Sequence, residues 1–247
     1  DVYKRQLTYS GSGAPSVEGI NFKAMKGQTI GVIGGTGSGK SSLVNLIPRL
    51  YDATQGEVLV DGVNVKDYDI EALRNKVGIV MQKAVLFKGT IRENMWMGKK
   101  GATDEQIDEA LEISQSKEFV DSKQGRLDYV IEQGGKNLSG GQRQRLTIAR
   151  AIVRKPDVLI LDDSASALDF ATDAALRKAI RGMNNSPTVF IVSQRAASLM
   201  YADLIIVLDD GQVAGMGTHD ELLANCEVYK EIYESQFKKA DSEGGVA

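Results

Sequence analysis

The 247-residue sequence has a single cysteine, Cys226, and a single histidine, His219. One cysteine excludes a disulfide framework within the chain and fits a reducing compartment. One histidine all but removes Ser-His-Asp hydrolysis and multi-histidine metal sites. Long hydrophobic runs are missing as well. Leu204-Ile205-Ile206-Val207-Leu208 is strand-sized, far short of a membrane span, and no signal peptide is visible. Charge of one sign does not accumulate either. The net charge is −3 and the pI near 5.4, which gives the whole chain no footprint for nucleic acid or anionic membrane. With 42% hydrophobic and 26% charged residues, the composition is that of an ordinary globular protein of one large or two small domains.

What is present is organised around Gly34-Gly35-Thr36-Gly37-Ser38-Gly39-Lys40-Ser41. It fits G-x-x-x-x-G-K-[ST], in which a glycine-rich turn aims backbone N–H groups at one spot just before a helix begins. Amides and helix dipole together make an anion site suited to nucleotide phosphates. Lys40 would reach the β- and γ-phosphates, and the Ser41 hydroxyl would take a place on Mg²⁺. The required context is present: Thr29-Ile30-Gly31-Val32-Ile33 reads as a strand, and Ser42-Leu43-Val44-Asn45-Leu46-Ile47 continues with helical spacing. The sequence therefore predicts nucleotide binding.

Along the chain, residues 1–6 match the translation of a common sequencing adapter and do not continue the pattern that follows. They are set aside as non-native. Leu7-Thr8-Tyr9 is expected to end a strand. Gly56–Val65 carries an Asp-Gly step between β-branched runs, a type I′ hairpin signal. Leu73–Lys76 reads as helix and Val77–Met81 as strand, closed by Gln82. Thr103 caps a helix with Gln106 at the capping-box position, and Ile107, Ala110, Leu111 and Ser114 form its inner face.

Residues 121–137 read as a polar loop. Leu138–Gln142 opens a further helix with Leu146, Ala149, Ile152 and Val153 facing inward. Its Arg143, Arg145, Arg150, Arg154 and Lys155 lack interleaved aromatics and are expected to form a solvated face, not a nucleic-acid surface. Pro156 stops that helix. Val158–Leu161, ending in Asp162-Asp163, looks like a central parallel strand, as do Thr188–Val192 and Leu204–Leu208. His219 is read as structural, beside a Thr218/Glu221 capping box. The alternation of strands and helices predicts a doubly wound α/β core, with a helical block near 90–155 inserted and a disordered polar tail over 239–247.

Taken together, these residues resemble the ATP-binding cassette (ABC) nucleotide-binding domain, in its exporter form, over residues 7–238. Tyr9 matches the aromatic A-loop, Gly34–Ser41 the Walker A, Gln82 the Q-loop and Leu138–Gln142 the LSGGQ signature. Val158–Asp162 matches the Walker B strand and Ser166-Ala167-Leu168-Asp169 the D-loop. Phe87–Asn94 and Glu132 look like exporter segments that touch coupling helices of a transmembrane domain.

The resemblance implies a P-loop NTPase (RecA-like) core with an antiparallel β subdomain and an inserted helical signature subdomain. It implies ATP and Mg²⁺ as cofactors and a place at the cytoplasmic face of the plasma (inner) membrane. It also implies that Ser42 joins the Walker A residues at the nucleotide, that Asp162 and Gln82 complete the metal shell, and that Tyr9 stacks on adenine. Ser139, Gly140, Gly141, Gln142 and Asp169 would serve the nucleotide of a partner domain in a head-to-tail dimer.

Two positions depart from the family. Asp163 stands where the general base is normally Glu, one methylene longer. Gln194 stands where the switch histidine falls; it can donate a hydrogen bond to a γ-phosphate but cannot titrate near neutrality. The pair resembles the degenerate site of a heterodimeric exporter, with poor turnover at its own Walker motifs and an intact signature for a different subunit. A homodimeric exporter with a slow Asp base, a soluble ABC ATPase and a purely regulatory ATP-binding module are the rival readings.

Overall fold

The computed structural model describes residues 2–7, 16–164 and 167–243. The chain divides into two compact units, Asp1–Arg74 with Thr188–Ala247, and Asn75–Pro187.

The first unit begins with strands β1 (Val2–Leu7), β2 (Val17–Phe22) and β3 (Thr29–Gly34) and helix α1 (Lys40–Asn45). Strands β4 (Gln55–Val60) and β5 (Val63–Asn64) and helix α2 (Ile70–Lys76) follow. An antiparallel sheet has the order β2-β1-β4-β5. Val2–Leu7, part of the stretch set aside above, forms an interior strand of this sheet. Strand pairing is made by main-chain groups, so a stretch carrying Val2 and Tyr3 can fill the place whatever its origin. The β4–β5 turn has positive φ at both Asp61 (51°) and Gly62 (78°), the type I′ geometry that matches the strand twist.

The second unit contains β6 (Val77–Val80), β7 (Gly89–Thr90), α3 (Ile91–Trp96), α4 (Asp104–Ile113) and α5 (Lys117–Asp121). It continues with β8 (Val130–Ile131), α6 (Gly140–Ile152), β9 (Val158–Asp162) and α7 (Phe170–Arg181). Strands β6 and β9 run parallel, Val77 opposite Val158 and Val80 opposite Leu161. The capping box at Thr103 is formed, and Ile107, Ala110, Leu111 and Ser114 are buried.

The stretch 121–137 is not the plain loop its polarity suggests. It holds 3-10 turns at Arg126–Asp128 and Gln133–Gly135, and β8 pairs antiparallel with β7. Two residues are too few to show a period of two in the sequence, yet Ile131 is fully buried. Arg126 bridges Asp108 and Asp121, and Arg92 bridges Asp104 and Asp128, so this stretch is tied to α3, α4 and α5.

The chain then returns to the first unit with β10 (Thr188–Val192), β11 (Leu204–Asp209), β12 (Gln212–Gly217), α8 (His219–Asn225) and α9 (Glu227–Glu243). Here the order is β12-β11-β3-β10, with β3 parallel to β10 and β11 and β12 antiparallel at the edge. Strands β3 and β10 are buried along their length, hence their apolar, β-branched sequences. The Thr218 box caps α8, and His219 Nδ1 lies 2.8 Å from Tyr229 Oη. Burial pushes the Tyr229 phenol up to about 12, and the histidine ring packs against Tyr229 and Tyr233, as its setting suggested. Helix α9 runs to Glu243, into the stretch expected to be a tail. Lys239-Ala240 and Glu243 are good helix formers, and extending an existing helix adds one hydrogen bond per residue fixed.

Candidate functional site

In the first unit, β3 delivers the chain into the glycine-rich loop, and Gly39 (φ 91°) starts α1. Two glycines are required by space. A Cβ at Gly34 would overlap the Leu208 carbonyl oxygen, and one at Gly39 would lie 2.5 Å from Val17 Cγ1 and 2.6 Å from the Ser16 carbonyl oxygen. Lys40 is buried, and its Nζ donates to the carbonyls of Gly34 (2.9 Å) and Gly35 (2.6 Å), with Ser38 Oγ at 3.4 Å. The ammonium is thereby held over the loop it closes.

A cleft of about 310 Å³ opens here, lined by Ser16, Gly37, Gly39, Lys40, Ser41, Ser42, Asp210 and Gly211. Gly34, Gly35, Thr36 and Ser38 shape the loop behind it. Asp210 was missed in the sequence; Asp210-Gly211 is the turn of the β11–β12 hairpin (φ 44° and 79°), and its only signal was that of a turn. Gln194 is exposed just beyond β10.

In the second unit, β9 ends on buried Asp162. Asp163 follows at φ 46°, a left-handed conformation that Asp tolerates better than most residues. Gln82 Nε2 donates to Asp163 Oδ2 at 3.1 Å, so two predicted site residues meet directly. The signature opens α6 with its own capping box: Gln142 N–H donates to Ser139 Oγ (3.2 Å), and Ser139 N–H to Gln142 Oε1 (3.1 Å). A Cβ at Gly141 would sit 3.3 Å from the Ala167 carbonyl oxygen, while one at Gly140 would meet only Arg143 Nη2, at 3.9 Å. Asp169 caps α7, accepting from Thr172 N–H (2.9 Å) and Thr172 Oγ1 (2.7 Å). These bonds hold its carboxyl below the usual range and give it a local structural task. Tyr9 and Ser166 lie outside the described residues.

The basic residues of α6 overturn the expected solvated face. Arg143 Nη1 donates to the carbonyls of Leu138 (2.7 Å) and Gly135 (3.3 Å), and Arg145 Nη1 to that of Gln115 (2.5 Å). Arg150 Nη2 donates to the Val85 carbonyl (2.9 Å), and Arg154 Nε to that of Gly98 (3.0 Å). The Arg145 and Arg150 guanidinium groups also lie over Phe119 and Phe87. Burial pushes the pKa of Arg145, Arg150 and Arg154 down. A planar guanidinium can satisfy loop carbonyls that have no strand partner, and an isolated sequence gives no sign of that need. Only Lys155, paired with Glu109 at 2.7 Å, sits on the surface as expected.

The segment after Gln82 is built around Asn94. This fully buried side chain accepts from Phe87 N–H and donates to the carbonyls of Phe87 and Thr90, each at 3.0 Å. Thr90 and Glu93 close a capping box beside it. Phe87 remains half-exposed, and so does Glu132, whose N–H donates to Asn137 Oδ1 at 3.0 Å.

Residues 17–166, more than half of the chain, match the model of the ABC transporter family. An uncharacterized ABC transporter ATP-binding protein of Mycobacterium bovis is 43% identical over 243 residues, 97% of this chain and 41% of that protein. A Staphylococcus aureus protein, provisionally named a multidrug export ATP-binding/permease protein, is 38% identical over 236 residues, 96% of this chain and 41% of its own length. The structure of a bacterial Atm1-family ABC exporter with ATP bound superposes with a TM-score of 0.90 at 31% identity, covering 95% of this chain and 41% of that one. The chain thus spans about two-fifths of the length of the relatives it matches. Among the described residues no helix is long and apolar enough to cross a membrane. The glycine-rich loop with its lysine, the LSGGQ helix cap and the matched span agree: the chain belongs to the ABC transporter family, as its ATP-binding domain.

Proposed function

We propose that the chain is the motor domain of an ABC exporter, that it closes head-to-tail on a second nucleotide-binding domain around ATP, and that its own ATP site is degenerate. Dimerisation on ATP and release after hydrolysis would drive a transmembrane domain through its coupling helices, at the cytoplasmic face of the membrane. The first unit brings the polyphosphate cradle: loop amides, Lys40, and the Ser41 hydroxyl for Mg²⁺. The cleft is large enough for part of a nucleotide, and its donors suit a phosphate chain.

Asp162 and Gln82 carry oxygen ligands of the hard kind Mg²⁺ takes. No group of three or more His, Cys, Asp or Glu is placed to hold a metal among the described residues, and a Mg²⁺ carried mainly by nucleotide phosphates needs none. When bound, Mg²⁺ neutralises phosphate charge, while the protein orients the attacking water.

The observation that carries the degenerate reading is the pairing of Gln82 with Asp163. The shorter carboxylate is withdrawn from where a Glu would end, and its Oδ2 accepts from the Gln82 amide at 3.1 Å. A misplacement of about 1 Å can cost roughly 10²-fold in rate. The self-capped signature is intact, so it is suited to complete a competent site on a different subunit.

ATP turnover at high protein concentration, compared with the double variant Asp163→Glu/Gln194→His, tests this. A self-dimer pairs each Walker site with an intact signature, so only those two positions differ. A gain of about 10²-fold at matched ATP affinity supports a degenerate site and a distinct partner. Brisk turnover by the unmodified chain, little altered by the swap, refutes it and favours a homodimer.

A further inference from the structure

The main chain that carries Gln194 is held by side chains from two directions. Ser193 is buried, and its Oγ accepts from Arg195 N–H at 2.9 Å. Gln236, on α9 and 42 positions beyond Gln194, grips the other groups. Its Nε2 donates to the Gln194 carbonyl at 2.7 Å, and its Oε1 accepts from Ala196 N–H at 2.9 Å. The carbonyls of Arg195 and Ala196 are taken by Ser198 N–H (3.1 Å) and Leu199 N–H (2.9 Å). The short turn after β10 is thus fixed atom by atom, while the Gln194 side chain remains exposed.

Gln236 is well built for this task. A carboxamide presents a donor and an acceptor in one rigid plane, which a carboxylate cannot do. Tyr229, Ile232, Tyr233 and Gln236 recur at helical spacing on one face of α9. Tyr229 is fully buried and the other three are half-buried, so the helix is anchored before it reaches the turn. Holding the backbone of an exposed glutamine narrows the orientations its amide samples, and a preorganised donor loses less entropy on binding.

We infer that Gln236 is a positioning residue for Gln194: its bidentate grip on the Gln194 carbonyl and the Ala196 N–H presents the Gln194 carboxamide to the terminal phosphate of ATP. The C-terminal helix thereby helps the domain distinguish ATP from ADP. The inference rests on the phosphate-contacting role proposed for Gln194.

The test is the affinity of the 247-residue chain for a non-hydrolysable ATP analogue and for ADP, measured by calorimetry alongside a thermal melt. Gln236→Leu, which keeps most of the bulk and loses both bonds, is expected to reduce the preference for the triphosphate about three- to tenfold, with ADP affinity unchanged. Gln236→Glu keeps the bond from Ala196 N–H but sets a carboxylate oxygen against the Gln194 carbonyl. It should lower the same ratio, and it carries the test if the leucine variant does not fold.

Gln194→Ala separates the two levels. If it lowers the ratio and the Gln236 variants do not, the positioning role is wrong and the reading of Gln194 stands. If it leaves the ratio unchanged, both fall. Equal losses of ADP and triphosphate affinity with a lower melting temperature mean that Gln236 only docks the helix, which also overturns the inference.

Discussion

The two units shape their motifs by different means. In the first, the work is done by an unbroken string of eight residues, and the decisive property is the absence of side chains. Gly34 and Gly39 sit where a Cβ would meet the Leu208 and Ser16 carbonyls. In the second, side chains reach far along the sequence. Arg150 holds Val85, 65 positions away, and Arg154 holds Gly98, 56 away. Motif-like segments need not be structurally alike: one is a shaped backbone, the other a helix with loops hung from it.

If backbone space governs the first unit, Gly39→Ala should be the most damaging of these changes. We expect a loss of about 3 kcal/mol or more, from overlap plus a left-handed φ, together with loss of nucleotide binding. Urea denaturation and nucleotide titration measure the two effects, and a parent-like variant would break the contrast. In the second unit, Arg150→Ala should cost about 2–3 kcal/mol by stranding the Val85 carbonyl and uncovering Phe87. Hydrogen exchange should rise over residues 83–89, and Arg150→Lys should recover little because an ammonium cannot both bond and stack as the planar fork does.

A smaller effect, about 1 kcal/mol, is expected from Ser139→Ala, which deletes one half of the capping box on α6. Far-UV melts would register it.

Acid sharpens the comparison further. Bonds from Arg92 hold the Asp104 carboxyl below its ordinary range, and bonds from Thr172 do the same for Asp169. Both groups lie in the second unit, and in the first the bonds from Thr218 lower Glu221 in the same way. A depressed folded-state pKa gives stability that is present above the unfolded value, near 3.9 for Asp, and lost as pH falls through the folded one. Urea midpoints should therefore drop between about pH 5 and 3, with a shallower drop in Asp169→Asn, whose side chain can still cap. Least of all should be Glu109→Gln, under about 0.5 kcal/mol, because its pairing with Lys155 is solvent-exposed.

Much of the site was readable because its grammar is local. The strand–glycine-loop–helix order around Lys40, the Asp61-Gly62 turn and the boxes at Thr103 and Thr218 all complete their hydrogen bonds within a few residues. The arginines of α6 were misread for the converse reason. Their partners are carbonyls of loops, and a carbonyl needing a donor leaves no trace in residue types. Gln236 was silent in the same way, as an ordinary polar residue on a polar helix.

The order of residues alone thus foretold the glycine-rich loop between strand and helix, the helix starts and the strands of the core, since each follows from spacing, φ preference or apolar periodicity over a short window. Folding settled the rest: that Gln82 meets Asp163, that Val2–Leu7 is an interior strand, and that α9 grips the turn bearing Gln194. Those contacts join groups 81 positions apart for Gln82 and Asp163 and 42 apart for Gln236 and Gln194, and a pattern read over a short window does not reveal which distant segments folding brings together.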